Sequence, residues 1–265
     1  MTGDKITVAK PYFDLTFAPI MLLLILFMGA APLLKWSGNN WGALKILGRV
    51  SFILALIIIG LTSLIGKSIL GGIGLFFAAY LAIATLLALA RKTQNFKNIR
   101  GQPAATYGFA LAHFGIAIFT AGAVIMSVWA KEDVKRLKPG ENLSLAGYTY
   151  TLDKVVPGVR ENYQFLTANI TVSKNETSVK ILTPEQRFYP VRNMVTTEAG
   201  FHFTAGPTVF AAISEGDINR GWKIRANYHP FVTWIWLGAF LMALAGFVSL
   251  CDKRLRASYT EEDVT

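Results

Sequence analysis

The sequence predicts an α-helical polytopic membrane protein with about five transmembrane helices and an inserted external all-β domain that is small and barrel-like. Three observations lead to this fold class. Hydrophobic residues make up 53% of the chain and charged residues only 16%, whereas charged residues are roughly 25% of an ordinary soluble domain. Long windows carry no Asp, Glu, Lys or Arg. A polar segment with strand-like alternation separates the last two windows.

The uncharged windows are long enough to be membrane spans, because crossing about 30 Å of hydrocarbon takes about 20 helical residues. The second window has seventeen residues, and only Lys67 separates it from the third. This spacing favours a tight helical hairpin, with one long interrupted span as the alternative. The windows are Leu15–Leu34, Val50–Gly66, Ser68–Ala90, Gly101–Ala130 and Ala226–Cys251.

The loop charges predict the orientation, because Lys and Arg are enriched in short cytoplasmic loops. One side carries Lys35, Lys45, Arg49, Arg91, Lys92, Lys97, Arg100, Lys253, Arg254 and Arg256, and the other carries Lys5, Lys10 and Lys67. We therefore expect the first side to be the cytoplasm or matrix. The N-terminus and the polar segment then lie outside, and the C-terminal tail lies inside.

The polar segment predicts a β-domain. Tyr148, Tyr150 and Leu152 alternate with polar residues, and the alternation recurs through Phe165–Val172. Further candidate strands are Ser178–Leu182, Thr208–Ile213 and Trp222–Ala226, for a total of six or seven. The chain thus divides into a leader with four transmembrane helices (1–130), the external domain (131–227), and a last helix with its tail (228–265).

Composition also excludes several classes of function. The net charge of +10 does not indicate nucleic-acid binding, because the basic residues flank apolar spans. The single Cys251 rules out an internal disulfide and a CxxC redox motif. No serine-histidine-acid triad, phosphate-binding glycine loop or zinc spacing is present. Gly71-Gly72-Ile73-Gly74 lies inside a span and indicates helix packing. Met1–Phe13 is polar and lacks the features of a signal peptide.

His113 is the first candidate site residue, since an ionisable group within a span is a functional hypothesis by default. One interpretation is hydrogen-bonded packing against a neighbouring helix. The other is a metal or haem ligand, because neutral imidazole is a common ligand. At about 1.5 Å per residue, His113 should lie on the order of 20 Å below His229. A second ligand would then come from another polypeptide or from a missing part of this one.

Two further histidines lie towards the outside. His229, in Tyr228-His229-Pro230-Phe231, is either an interfacial residue beside Trp234 and Trp236 or a docking or haem-contact residue. His202 is expected to be an ordinary strand residue. The segment Pro184–Pro190, followed by Thr197-Glu198-Ala199, is the densest polar and aromatic cluster of the domain, and its composition predicts a loop.

Four groups of residues, in this order along nearly the whole chain, resemble the C-terminal part of the CcmF/NrfE family of cytochrome c maturation haem-lyase subunits. They are Pro11-Tyr12-Phe13 leading into Ala18-Pro19; Leu111-Ala112-His113-Phe114-Gly115; Pro184-Glu185-Gln186-Arg187-Phe188-Tyr189-Pro190 with Thr197-Glu198-Ala199; and Tyr228-His229-Pro230-Phe231-Val232 through Trp234-Ile235-Trp236-Leu237-Gly238 to Asp252-Lys253-Arg254.

The resemblance implies a subunit that helps hold a b-type haem in the membrane and attach haem covalently to apocytochrome c outside it. His113 then corresponds to one axial ligand, and the second ligand belongs to the family's N-terminal half. Arg187, Tyr189, Glu198 and His229 are implied as docking or haem-contact residues. The implied partners are the N-terminal half, the haem chaperone, the thiol-handling subunit, apocytochrome c and membrane lipid, but not nucleic acid.

The sequence departs from the family in length, because the tryptophan-rich haem-binding segment and its flanking histidines have no counterpart. Trp36 and Trp41 do not reproduce that segment. The resemblance therefore predicts a split gene or a fragment in a bacterial or mitochondrial inner membrane, inactive as a haem lyase alone. A cofactor-free membrane scaffold is the main alternative. A transporter is weaker, because transport predicts paired intramembrane charges or broken helices, and the spans show no ionised group besides His113.

Overall fold

The protein is described by a computed structural model that covers residues 10–34, 41–66 and 68–252. The described residues form five α-helices and ten β-strands. The helices are α1 Lys10–Ala30, α2 Trp41–Gly66, α3 Ile69–Lys92, α4 Ala104–Trp129 and α5 Val232–Leu250. The strands are β1 Lys131–Leu137, β2 Asn142–Leu145, β3 Tyr148–Val159, β4 Gln164–Lys174, β5 Thr177–Leu182, β6 Glu185–Tyr189, β7 Met194–Glu198, β8 Gly200–His202, β9 Pro207–Asp217 and β10 Gly221–Pro230. The predicted fold class is confirmed.

The chain divides into two compact units, a helical unit (Met1–Val124 with Trp234–Thr265) and a β unit (Ile125–Thr233). Each of the five helices contains a stretch long and apolar enough to cross a membrane. Large apolar side chains on their outer faces are exposed, such as Leu15, Phe52 and Phe247. An apolar exterior of this kind is stable in lipid rather than in water. The chain is therefore an integral membrane protein.

Helix α3 is the central helix of the helical unit. It carries nine buried residues, and the Tyr80 hydroxyl donates a 2.8 Å hydrogen bond to the Leu26 carbonyl of α1. Gly72 faces α2, where an added Cβ would lie 3.0 Å from Ile59 Cα, and Gly74 faces Val124 of α4. Small residues let helix backbones approach closely in membranes. The interpretation of this glycine segment as helix packing is confirmed.

The uncharged windows correspond to the helices with two corrections. The second helix begins at Trp41 rather than at Val50 and contains Lys45 and Arg49. The predicted last span was wrong at its start, because Ala226–Pro230 ends strand β10 and the helix begins at Val232. The basic residues Lys5, Lys35, Lys67, Lys253, Arg254 and Arg256, together with Trp36, lie outside the described residues.

The β unit contains two antiparallel sheets. The four-stranded sheet has the order β1-β10-β9-β8, and the six-stranded sheet has the order β2-β3-β4-β6-β7, with β5 also paired to β4. The register shifts between Leu152 and Lys154, and between Trp222 and Ile224. Such bulges bend and twist a strand. The two sheets therefore curl into a half-barrel instead of lying flat.

The core of the β unit lies between the two sheets. The alternation that predicted β3 and β4 is the burial pattern itself, since Tyr150, Leu152, Ile170 and Val172 are fully buried. The Tyr150 hydroxyl crosses the core and donates a 3.1 Å hydrogen bond to the Asn227 carbonyl of β10. Burial raises the pKa of Tyr150 well above that of free tyrosine. This hydroxyl is a polar link between the sheets.

Two predictions for the β unit were wrong in detail. The described residues contain ten strands, not six or seven. Glu185–Tyr189 is strand β6 rather than a loop, because it pairs with the first half of β4 on one side and with β7 on the other. Its flanking Pro184 and Pro190 lie outside the paired residues, where proline does not remove a ladder hydrogen bond. Composition alone does not show that pairing.

Candidate functional site

His113 lies in α4, nine residues after the first helical residue, Ala104, or about 14 Å along the axis at 1.5 Å per residue. Its Nδ1 is 3.0 Å from the Phe109 carbonyl oxygen one turn earlier. Its ring lies against the Phe109 ring, with centroids 4.2 Å apart and planes at 45°. The side chain is half-buried. The helix and its aromatic neighbour therefore fix the orientation of the imidazole.

The hydrogen bond determines which imidazole nitrogen is available. A carbonyl oxygen only accepts, so the contact with Phe109 requires the proton on Nδ1. In the neutral imidazole, Nε2 of His113 then carries the lone pair. Metal-bound histidines commonly use this arrangement, with one nitrogen on the metal and the other donating to a carbonyl or carboxylate. Nε2 of His113 is therefore chemically suited to serve as a single imidazole ligand to a haem iron.

The position of His113 depends on the packing of α4 against α5. Gly108, Gly115 and Gly122, spaced by seven, all meet α5. A Cβ on Gly115 would lie 2.9 Å from the Gly238 carbonyl oxygen, and a Cβ on Gly238 would lie 2.6 Å from the Gly115 carbonyl oxygen. The two backbones are in direct contact. Since Gly115 is two residues, or about 200°, from His113 around the helix, the histidine lies on another face.

The histidine face of α4 packs against the core of the helical unit. Phe109, Ile116 and Ala117 share this face by helical spacing, and all three belong to or pack against the cluster that includes Leu81 and Ala84 of α3. The start of α4 is held by Asp252, whose carboxylate accepts a 3.0 Å hydrogen bond from the Ala105 N–H. The rotation of α4 and the position of its first turn are therefore set by contacts within this chain.

By sequence, the helical unit contains no histidine besides His113. The chain has three histidines, and His202 and His229 both belong to the β unit. Among the described residues, no group of three His, Cys, Asp or Glu side chains is placed to hold a metal ion. The helical unit thus has one histidine that could serve as a ligand.

Arg187 is at the centre of a charged and aromatic cluster on one face of β4, β6 and β7, which we call the Arg187 cluster. Its Nε donates a 2.9 Å hydrogen bond to Glu185, and its Nη1 lies 3.5 Å from the Glu198 carboxylate. Glu185 and Glu198 face each other across β6 and β7, where like charges repel. The hydrogen bond to Glu185 raises the pKa of Arg187 further, so the guanidinium stays charged and pairs with both carboxylates, which reduces their mutual repulsion.

The cluster continues into aromatic side chains. The Arg187 guanidinium lies 5.1 Å from the Tyr163 ring centroid, and the Tyr163 and Tyr189 rings are 5.2 Å apart. The structure thus brings together Arg187, Tyr189 and Glu198, three of the four residues expected to dock a partner or contact haem. All three side chains are partly or fully exposed, and a cation–aromatic surface of this kind is well suited to contact a partner.

His229 lies outside the Arg187 cluster, in the four-stranded sheet. It is half-buried near the end of β10, opposite Thr208 of β9. The Phe210 ring meets it edge-to-face at 4.8 Å. Burial lowers the pKa of His229, and the nearby Glu132 charge opposes this shift. His202 is the last residue of β8, so the expectation of a strand residue is confirmed.

Sequence reasoning missed an open groove on the opposite face of the same strands. Pro157, Val159, Leu166, Phe188 and Val195 line this groove, whose volume is about 550 Å³. Leu166 shares its face of β4 with the buried Ala168 and Ile170. The groove is therefore the inner face of the six-stranded sheet where it extends beyond the covered core. Its residues come from four strands, so no short sequence motif marks it.

Comparisons with known proteins agree with this architecture. The model of the CcmF C-terminal beta-sandwich family matches residues 128–230. The chain is 33% identical over 261 residues to the cytochrome c-type biogenesis protein ccl1 of Rhodobacter capsulatus, covering 96% of this chain and 39% of that protein. It is 27% identical to CcmF of Escherichia coli, covering 95% and 39%, and 28% identical to NrfE of Haemophilus influenzae, covering 96% and 40%.

A solved structure described as cytochrome c heme lyase CcmF shares the fold. It superposes with a TM-score of 0.76 at 21% identity, over 92% of this chain and 41% of that chain. The chain therefore spans about 40% of the length of the curated relatives it matches. The match extends over both the helices and the β unit. The homologues of this chain are thus CcmF/NrfE cytochrome c-type biogenesis proteins, and the chain corresponds to their C-terminal part.

Proposed function

We propose that this chain is a subunit of a cytochrome c haem lyase and holds a membrane b-type haem through His113. The observation that carries the proposal is the imidazole geometry, in which Nδ1–H donates to the Phe109 carbonyl and leaves Nε2 free. Haem is the relevant group because a solved structure that shares this fold is described as a cytochrome c heme lyase. Haem attachment to apocytochrome c is the proposed process.

The chain's own part in this function is to bind and orient. Nε2 of His113 would hold the iron, the Phe109 carbonyl would fix the ring and strengthen its basicity, and the apolar neighbours Ile116 and Ala117 would exclude water from that side. When bound, the haem supplies a redox-active iron whose potential depends on its ligands and on burial. Any second protein ligand would come from the N-terminal half of the lyase or a partner chain.

The β unit would dock a partner outside the membrane. The Arg187 cluster presents a guanidinium that is held in place by two carboxylates and a tyrosine ring, and Tyr189 extends its aromatic surface. The candidate partners are apocytochrome c, the thiol-handling subunit and the haem chaperone. His229, on the other sheet, would serve as a separate docking or haem-contact residue. The residues that line the open groove lie mostly on the opposite face from Arg187, apart from Phe165.

The proposed location is a bacterial or mitochondrial inner membrane, with the N-terminus and β unit outside and the C-terminus inside. The loop charges support this orientation through the enrichment of Lys and Arg on the cytoplasmic side. Arg91 and Lys92 at the end of α3, with Lys97 and Arg100 in the following loop, are described residues of that basic side. A chain of this kind would not attach haem without the remaining part of the lyase.

The test is the reduced-minus-oxidised absorption spectrum of the chain purified with its co-purifying membrane partners. We expect a b-type spectrum that disappears in His113→Ala and persists in the control His202→Ala, which removes a histidine from the β unit. Stoichiometric haem in His113→Ala would refute the ligand assignment. No haem in the unmodified complex with an intact partner would instead support the cofactor-free scaffold, with His113 as a packing residue.

A further inference from the structure

A cavity of about 390 Å³ lies among three helix ends in the helical unit. Its walls are Pro32, Leu33 and Leu34 after α1, Ala88, Arg91 and Lys92 at the end of α3, and Phe109 near the start of α4. We call it the Arg91 cavity. Leu33 and Ala88 are buried, whereas Arg91 and Lys92 are exposed. The cavity thus combines an apolar interior with two positive charges at its rim.

The two cations lack a neutralising group on the described helices. Neither Arg91 nor Lys92 forms an ion pair with any residue that the structure describes. The sequence contains no Asp or Glu from residue 15 to residue 131, so neither α1, α2, α3 nor α4 supplies a carboxylate after that point. The carboxylate of Asp252, near the end of α5, accepts a hydrogen bond from the Ala105 N–H. Within residues 10–34, 41–66 and 68–252, no carboxylate therefore forms an ion pair with the positive charge at this cavity.

The geometry points to a binding site for one anionic phospholipid, with its phosphate at Arg91 and Lys92 and an acyl chain along Leu33, Ala88 and Phe109. A basic pocket between transmembrane helices at their cytoplasmic ends has the chemistry that binds anionic headgroups. The volume falls within the range of about 300–1,000 Å³ that is usual for small-molecule sites. A soluble anion would use the two cations but not the apolar walls, which favours a lipid as the occupant.

The inference does not rest on the haem proposal, and its test uses lipid retention as a separate readout. The full chain, purified in detergent with its co-purifying partners, is titrated with phosphatidylglycerol or phosphatidylcholine, and bound lipids are counted by native mass spectrometry. We expect one phosphatidylglycerol to be retained more tightly than phosphatidylcholine. At roughly a fivefold loss per basic residue, the double variant Arg91→Gln with Lys92→Gln should bind it about 30-fold more weakly.

A matched control removes the same charge from the loop that follows α3. Lys97→Gln with Arg100→Gln changes two basic residues that do not line the cavity, and phosphatidylglycerol retention should change less than about threefold, as for distant surface charges. The charge-preserving variant Arg91→Lys with Lys92→Arg should keep most of the binding, because a phosphate accepts hydrogen bonds from either side chain.

Three results would overturn the proposal. Equal losses in the Arg91/Lys92 and Lys97/Arg100 variants would show that the effect is general surface charge. Competition by soluble glycerol 3-phosphate at the same concentration as the lipid would show a site for free phosphate esters. Unchanged lipid retention with loss of haem from the Arg91/Lys92 variant would assign the cations to the carboxylates of a haem instead.

Discussion

The direct contact between α4 and α5 predicts that Gly115→Ala destabilises the protein although alanine is the better helix former. The added methyl group would lie 2.9 Å from the Gly238 carbonyl oxygen and 2.9 Å from Met242 Cγ. Gly238→Ala should be more severe. Its methyl group would lie 2.6 Å from both the Gly115 carbonyl oxygen and the Phe119 nitrogen, and these are backbone atoms that cannot rotate away.

The magnitude follows from two opposing terms. Overpacking of a tight contact typically costs about 1–3 kcal/mol, whereas replacing glycine by alanine in a helix gains up to about 1 kcal/mol. Gly246 of α5 is the control that separates the two terms, because an added Cβ there meets nothing within 4 Å. Gly246→Ala should therefore show the gain alone. The difference between Gly115→Ala and Gly246→Ala should equal the contact term of about 1–3 kcal/mol.

The measurement is thermal unfolding in detergent, with both variants prepared from the same background. At about 2–4 °C per kcal/mol for a chain of this size class, the midpoint of Gly115→Ala should lie at least about 2 °C below that of Gly246→Ala. Gly238→Ala should lie lower than Gly115→Ala. Equal midpoints for Gly115→Ala and Gly246→Ala would show that α4 and α5 are not in backbone contact and would refute the account of how His113 is positioned.

Three further predictions concern polar contacts. Asp252→Ala, measured by the same unfolding assay, should lose about 0.5–2 kcal/mol, because the Ala105 N–H at the start of α4 loses its cap. Because burial lowers the pKa of His229, its contribution to stability should be fully present above the ordinary pKa of about 6.5 and be lost as the pH falls from there through the lower pKa of the folded state. His229→Gln should flatten this pH profile, and an unchanged profile would contradict the assignment. Arg187→Gln should lower the stability of the β unit by about 1 kcal/mol or less, since Glu198 is half-exposed, and the loss should shrink in high salt.

The sequence predicts those parts of the fold in which one property repeats over many residues. Helices α3 and α4 follow from windows without a charged residue, and β3 follows from the alternation at Tyr148, Tyr150 and Leu152. Both patterns record which side chains avoid water. These patterns predict structure because an apolar face must be covered. Lipid covers the helices, and the second sheet covers β3.

The same patterns fail where two environments demand the same composition. Ala226–Pro230 is uncharged because it is a central strand flanked by β1 and β9, yet it adjoins a helix that is uncharged because of lipid. A charge window does not separate them. Glu185–Tyr189 shows the converse. Its polar side chains predict a loop, but pairing with β4 and β7 makes it a strand, and that pairing is invisible in five residues.

The candidate site was predictable to the same partial extent. A lone histidine in a span is visible in sequence, and so is the carbonyl four residues earlier that orients it. The Arg91 cavity and the open groove are not visible, because their linings come from three helices and four strands. Their existence depends on how separate elements come together, which short-range patterns do not record.

Helix α4 contacts α5 through its glycine face and carries His113 on another face. Because the two faces are separate, the haem proposal can be tested by protein stability as well as by haem content. The glycine face fixes the helix to α5, while the histidine face carries Nε2 toward whatever binds it. A change at Gly115 should therefore lower both stability and haem content, because it moves the ligand and weakens the fold together. His113→Gln should lower haem content while leaving the unfolding midpoint of the haem-free protein close to that of the parent. If His113 were a packing residue, the second variant would instead lower that midpoint, and the two faces would behave alike.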